Sequence, residues 1–284
     1  MKFFYSKVLV IFLFLGCRPS DTSAVTYNKM SDGYFTSVHV LTVNPQEHLI
    51  VPVKASEEAG KETVATLAHR NQAIAAINGG FYKKNGSPAG ALKIHNQWHS
   101  IPTHPKGAVG RGAVGWSDEN HQVIFDRILT HNSLQESLAN NQIEVIPMST
   151  PPYTTSKMWG ALPHIVGGTP VLVRNGHLIE DFEAEQTLKS FLNNKHARTA
   201  VGIKENGNWV FVVVDGSFKG LFGGMTIREL AKFMLDLGCI EALNLCGGRS
   251  STMVVEGKVI NDPYGKIAED GKNVNAVSDA ILIF

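Results

Sequence analysis

The chain has little cysteine, three residues in 284, and one of these, Cys17, lies in the N-terminal segment. Cys239 and Cys246 alone cannot make a disulfide framework, and neither has the paired spacing of a zinc site, so both read as buried thiols acting as small hydrophobes. The chain also lacks an excess of either charge: 26 Lys and Arg stand against 25 Asp and Glu. The basic residues are dispersed, which removes the electrostatic case for nucleic acid as a partner and leaves any bound anion to be met by local charge. The apolar stretch from Val8 to Leu15 falls well short of the roughly 20 residues that a membrane-spanning helix requires. No internal repeat or low-complexity segment is present.

At the N-terminus, Lys2 and Lys7 flank this stretch, which ends at Gly16-Cys17 before the polar run Arg18 to Ser23. The pattern is that of an export signal over residues 1–17. Its Leu15-Gly16-Cys17 end is similar to a bacterial lipoprotein signal, which would lipidate Cys17 and hold the chain to the cell envelope; a plain cleaved signal or a retained anchor is the alternative. Residues 18–34 read as a polar tether and 35–284 as one domain.

Within that domain, Ser37 to Val43 and His48 to Val53 alternate as strands, a helix is expected near Glu62 to His69, and the apolar run Ala73 to Ile77 breaks at Asn78-Gly79-Gly80-Phe81-Tyr82. Patterning weakens over residues 120–156, which include Pro151-Pro152, and no function is readable there. Asn175-Gly176 is a hairpin-turn signal, as is Glu256-Gly257. Trp209 to Val214 is continuously apolar, as a strand buried on both faces would be, and it ends at Asp215-Gly216-Ser217. Thr226 and Glu229 have capping-box spacing ahead of an apolar face made by Ile227, Leu230, Ala231, Met234 and Leu235, and Gly238 is a natural stop. Ala242 to Leu245 and Ala280 to Phe284 are further strands. Strands dominate with a few helices packed on them, which predicts an α+β fold with mixed β-sheets.

The most informative stretch is Cys246-Gly247-Gly248-Arg249-Ser250-Ser251-Thr252 at the mouth of a strand. Glycines allow close backbone approach, the arginine is a planar five-donor cation, and three hydroxyls follow, a set suited to an anion or a sugar. Asn78-Gly79-Gly80, Arg198 to Gly202 and Asp215-Gly216-Ser217 repeat the pattern of polar residues beside glycine at strand ends. Any one of these is explained by a turn alone; their recurrence points to a site.

The ordered segments Ile77 to Tyr82, Val166 to Val173, Arg198 to Gly202, Val214 to Ser217, Gly224 to Ala231, Ala242 to Val254 and Val277 to Leu282 resemble the phosphodiester glycosidase family over about residues 70–284. The resemblance implies hydrolysis between a sugar's anomeric carbon and a phosphodiester oxygen; no cofactor and no metal is expected. Arg198 is the expected group to hold phosphate, aided by Gly247 and Gly248 N–H groups, with Asn78, Gly79, Gly80 and Phe81 as binding residues, and the residue chemistry of the Cys246–Thr252 stretch adds Arg249, Ser250 and Ser251. Asp215 would be base, nucleophile or stabiliser of an oxocarbenium-like transition state.

The chain departs from the family pattern where it has Cys246 for an acid and Arg249 for a glycine, at Ser217, and at Asn273 or Asn275 where arginine is common. Three outcomes follow: Asp215 works alone because phosphate leaves readily, Cys246 acts as a thiolate beside Arg249, or the fold binds without cleaving. His95, His99 and His104 read as loop histidines, not metal ligands. The expected partner is a phosphate-linked sugar or glycan of the cell envelope or an exopolysaccharide; the rival reading is a catalytically silent glycan-binding or surface-interaction lipoprotein.

Overall fold

The structure is a computed structural model that describes residues 25–31, 36–101, 109–130, 143–148, 154–216, 223–263 and 274–284. Three sheets carry the fold. The first has seven strands in the order β1 (Val25–Ser31), β2 (Ser37–Val43), β14 (Trp209–Val214), β13 (Arg198–Lys204), β15 (Cys239–Asn244), β11 (Val171–Arg174) and β12 (His177–Leu178). The second runs β6 (Gln97–Ser100), β5 (Leu92–Ile94), β10 (His164–Gly167), β7 (Arg111–Trp116), β8 (Val123–Thr130), β9 (Val145–Pro147). The third runs β17 (Lys258–Val259), β16 (Met253–Val255), β4 (Ala75–Asn78), β18 (Asp279–Ile283), β3 (Ile50–Lys54). Among the described residues, four α-helices pack on them: α1 (Val64–Arg70), α2 (Ser156–Ala161), α3 (Lys189–Asn193) and α4 (Ile227–Asp236). This is the expected α+β architecture, and its strand pairs among the described residues are antiparallel.

Strand alternation explains why three sheets make one body. Leu41, Val201, Phe211 and Val213 of the first sheet, Leu92, Val114 and Phe125 of the second, and Ile77, Met253 and Ile281 of the third all point into one shared core. The outer faces then need cover, and helices supply it. Val38, Val40, Val210, Val212 and Val214 pack against Ile227, Leu230 and Met234 of α4; Trp159 of α2 covers the second sheet, and Val64, Leu67 and Ala68 of α1 cover the third. Strand β14 is therefore apolar throughout because odd residues serve the shared core and even ones the helical layer.

Several local readings are realised. Thr226 caps α4 by accepting from the Glu229 N–H while the Glu229 carboxylate accepts from the Thr226 N–H, a complete capping box. Asn175-Gly176 (φ 50° and 73°) and Glu256-Gly257 (φ 49° and 74°) turn with both residues left-handed, as tight hairpins demand. Thr226→Ala should lower unfolding free energy by about 1 kcal/mol, read from urea denaturation, while Arg228→Ala, whose partner Glu180 is exposed, should change it by less than about 0.5 kcal/mol.

Two sequence readings are corrected. Residues 25–31, assigned to a tether, form an edge strand paired with β2 from Val25↔Val43 to Ser31↔Ser37. Most of its side chains face solvent, so its composition is that of a linker while its backbone is satisfied by the sheet. The weakly patterned middle contains the eight-residue strand β8, buried along most of its length. The export signal, Cys17, Pro151-Pro152, His104, Ser217 and Asn273 lie outside the described residues.

Candidate functional site

The glycine-bearing segments meet where β4, β13, β14 and β15 end together, and Asn78 is the knot that holds three of them. Its Nδ2 donates to the carbonyls of Cys246 (2.7 Å) and Gly79 (3.3 Å), and its Oδ1 accepts from Thr199 Oγ1 (2.8 Å) and Thr252 N–H (3.1 Å). An amide has two donors and two acceptor sites, and all are used inside the protein. The expected sugar-binding role of Asn78 is thus replaced by a structural one. Recurrent glycines beside polar residues signalled the convergence correctly, but did not tell which polar atoms the fold would consume.

Gly79 and Gly80 are required by packing. A Cβ on Gly79 would lie 1.9 Å from Asp279 Oδ1, and one on Gly80 would lie 2.7 Å from the Gly167 carbonyl. Asp279 is buried, accepts from Gly80 N–H at 2.8 Å, and bonds Ser278 Oγ. Burial holds its carboxyl above the ordinary range, against the pull of those two donors.

Cys246 lies in the same buried corner. Burial pushes its thiol up to about 11, nearby Asp279 adds to the rise, and the Ser250 hydroxyl and Gly247 N–H oppose it. A thiolate nucleophile assisted by Arg249 is therefore corrected to a neutral, buried thiol. Cys239 is pushed up to about 12, also by burial. Between pH 9 and 11 the unfolded chain gives up both thiol protons while the folded one keeps them, so stability falls as pH rises, by about 1.4 kcal/mol per unit for each thiol. Urea unfolding at pH 8 and pH 10 should show this loss, and the Cys239→Ala, Cys246→Ala double variant should show a clearly smaller one; an equal loss in both would discount these thiols.

Arg198 and Asp215 are neighbours in the sheet but face opposite ways. Arg198 pairs with Val214 and shares its face, so its guanidinium enters the helical layer. There Nε donates to the Met225 carbonyl (2.8 Å), Nη2 donates to those of Phe191 (2.7 Å) and Asn194 (2.9 Å), and the group lies 4.5 Å from the Phe191 ring centroid. Burial lowers its pKa to about 10, with Glu229 countering, which leaves it cationic at neutral pH. Arg198 is a strut for the loops around α3 and α4. Only Nη1 is left for the phosphate role, and it too is buried.

Asp215 faces the shared core side, and it anchors the polar network with the most chemical potential. His39 Nε2 stands 3.0 Å from Oδ2, while Oδ1 accepts from Asn261 Nδ2 (3.1 Å) and Asp262 N–H (2.8 Å). Tyr27 Oη lies 2.8 Å from His39 Nδ1, and the two rings stack 6.1 Å apart. Asn261 also donates to the Ser251 carbonyl (2.9 Å) and accepts from Met253 N–H (2.7 Å), joining Asp215 to the segment that begins at Cys246. Asp215 is 8% exposed and His39 1%, so both groups are largely withdrawn from solvent. Sequence reasoning missed Tyr27, His39 and Asn261. The one available signal was a histidine on the same alternating face as Leu41 and Val43, where an apolar residue belongs.

The rest of the expected binding set lies in the turn over residues 247–251 and beyond the end of β4. Gly248 N–H donates to the Ala197 carbonyl (2.8 Å), so that donor is used inside the protein, and a Cβ on Gly247 would lie 2.9 Å from the same oxygen, so Gly247 is required by close packing. Arg249 is exposed on the short 3-10 turn Gly248–Ser250. Ser250 Oγ lies 3.0 Å from Tyr82 Oη, Ser251 Oγ is buried, and the half-buried Phe81 ring meets Phe191 edge-on at 6.0 Å. Among the described residues, no group of three or more His, Cys, Asp or Glu is arranged to hold a metal ion.

A family model described as phosphodiester glycosidase matches residues 71–284. The chain is 27% identical over 208 residues to the SPbeta prophage-derived protein YomE of Bacillus subtilis, covering 71% of this chain and 27% of that one. It is 33% identical over 108 residues to the Bos taurus N-acetylglucosamine-1-phosphodiester alpha-N-acetylglucosaminidase, covering 35% and 20%. It thus spans about a quarter or less of these relatives' length. The fold is similar to that of a hypothetical protein from Synechocystis (TM-score 0.71, 20% identity, 93% of this chain and 63% of that chain). It is also similar to the zebrafish N-acetylglucosamine-1-phosphodiester alpha-N-acetylglucosaminidase catalytic domain, auto-inhibited by its pro-peptide (TM-score 0.66, 19% identity, 93% and 85%).

Proposed function

The chain belongs to the phosphodiester glycosidase family, and from that premise we propose that it hydrolyses a glycosyl phosphodiester, releasing sugar and phosphomonoester, with Asp215 as the central carboxylate. The observation that carries this reading is the placement of Asp215. Both its oxygens are engaged at the end of β14, and it is tied through Asn261 to the Cys246–Thr252 segment. Two N–H groups donate to Oδ1 and His39 Nε2 stands at Oδ2, a setting that suits an acceptor carboxylate. An ionised carboxylate beside an anomeric carbon stabilises the positive charge that develops as the bond to phosphate opens, and it accepts a proton from attacking water. The phosphate leaves as an anion and needs no proton at that moment, so the missing acid at position 246 is tolerable. Its charge requires a cation, and we assign that role to Arg249, whose side chain is exposed.

The substrate class we infer is an N-acetylglucosamine-type sugar joined to phosphate, after the activity in the relatives' names, within a cell-envelope or exopolysaccharide glycan reached by export and lipidation at Cys17. The test is release of free sugar from UDP-N-acetylglucosamine and from the methyl phosphodiester of N-acetylglucosamine 1-phosphate by the purified chain. Turnover is expected with wild type and lost with Arg249→Ala through a raised KM.

A second reading, binding without cleavage, is favoured by the substitutions at Cys246 and Arg249. It takes over if wild type releases no sugar from either compound yet retains an immobilised phosphoglycan, and if Cys246→Asp with Arg249→Gly restores turnover.

A further inference from the structure

We propose that Tyr27 is a positioning residue: its hydroxyl, bonded to His39 Nδ1, holds the imidazole in the orientation in which Nε2–H, the tautomer that the Asp215 carboxylate demands, meets Oδ2. This deepens the reading of Asp215 as the working carboxylate. Tyr27 and His39 both lie outside residues 71–284, the span the family model matches, so membership of the family does not assign them a role.

The argument starts from what each atom can donate. A neutral imidazole has one N–H and one acceptor nitrogen, and the neighbour of one nitrogen decides the state of the other. Asp215 in its ionised form offers only acceptors, and its Oδ1 is already occupied by Asn261 Nδ2–H and Asp262 N–H. The 3.0 Å contact at Oδ2 is then a hydrogen bond only if His39 carries its proton on Nε2. Nδ1 becomes an acceptor, and the one donor that reaches it is Tyr27 Oη at 2.8 Å. The three groups form a directed chain, Tyr27 O–H to Nδ1 and Nε2–H to carboxylate. His39 is 1% exposed, so water has little access to satisfy either nitrogen in the tyrosine's place.

Placement fits a built device. Tyr27 comes from the edge strand β1, which pairs with β2 over seven residues, and the Tyr27 ring lies nearly parallel to the imidazole at an interplanar angle of 15°. The ring stack and the strand register hold Oη on Nδ1, so the hydroxyl is positioned by two independent constraints. Tyr27 is 37% exposed, which means that its ring contributes modestly to the core and its hydroxyl is the part with a defined task. Burial raises the Tyr27 hydroxyl above the ordinary phenol range, with Asp215 adding to the rise, which keeps it a donor at neutral and mildly alkaline pH.

The test is Tyr27→Phe in the full chain, with His39 observed by long-range 1H–15N correlation of histidine-labelled protein at pH 7.5. In wild type the His39 nitrogens should give the separated pair of shifts of an Nε2–H tautomer. In Tyr27→Phe the Nδ1 resonance should shift to that of an acceptor nitrogen without a donor while Nε2 keeps its proton, with kcat reduced about tenfold and KM within twofold, the effect of losing one hydrogen bond to a positioned group. Thermal unfolding within about 3 °C of wild type would confirm that the ring and strand remain in place. Unchanged His39 shifts in Tyr27→Phe, or an Nδ1–H tautomer in wild type, would overturn the proposal. The Nδ1 shift in a protein that cleaves no phosphodiester would leave Tyr27 holding His39 and sink the hydrolytic reading instead, so the two failures are separable.

Discussion

Asp215→Asn should lower kcat by about 10²-fold to 10⁴-fold, the range in which a positioned acid–base group contributes, while the protein still folds. The substitution removes charge and little else. The amide oxygen can keep the two hydrogen bonds that Asn261 and Asp262 donate to Oδ1. The new NH2 group then faces His39 Nε2, which accepts if the imidazole proton moves to Nδ1, where Tyr27 Oη can receive it. The nitrogens and oxygens of the Tyr27, His39 and residue 215 side chains therefore have a partner in either state, and the unfolding free energy should change by less than about 1.5 kcal/mol. Measured kcat with N-acetylglucosamine phosphodiesters, alongside urea unfolding, separates the two quantities. A variant that retains more than a fifth of wild-type turnover would remove Asp215 from the chemistry.

The largest expected effect on the fold is Gly79→Ala. The added Cβ would sit 1.9 Å from Asp279 Oδ1, a distance no packing adjustment of the methyl group can absorb. Asp279 cannot swing away cheaply, because its carboxyl is buried and bonded to Gly80 N–H and Ser278 Oγ. Moving the glycine backbone instead would break the bonds that join Gly79 to Asp279 and Cys246 and loosen the Asn78 knot. The expected cost is about 3 kcal/mol or more, enough to leave little soluble folded protein from a marginally stable chain. Gly248→Ala is the comparison. Its Cβ would meet nothing within 4 Å, so only the left-handed φ of 62° opposes it, at about 1 kcal/mol. Circular dichroism and denaturant midpoints of both variants decide the matter, and equal stabilities would refute the steric argument.

The two variants report on different parts of one arrangement. Asp215 supplies charge at the rim, and Gly79 lets the rim close by bringing β4 against Asp279 at the start of β18. In a family whose pattern usually carries an acid at position 246, this chain places a neutral thiol in the buried corner next to Asp279. Two buried carboxylates there would repel each other, and the substitution relieves that cost.

Much of this was readable in one dimension, because hydrophobic period and turn chemistry are local properties. The unbroken run Trp209 to Val214 required two apolar environments, Thr226 with Glu229 required a helix start, and Asn175-Gly176 required a tight hairpin. The ordered glycine motifs located the strand ends that meet at the site. Tertiary structure alone decided which polar atoms were left over. Asn78 and Arg198 look like ligand-binding groups in sequence, yet the fold uses nearly all their hydrogen-bonding capacity on its own carbonyls and N–H groups. His39 looks like an interruption of an apolar face, yet the pairing of β2 with β14 sets it against Asp215 across 176 residues. Residue type determines what a side chain can donate or accept, whereas burial and register determine whether the protein or a substrate receives it.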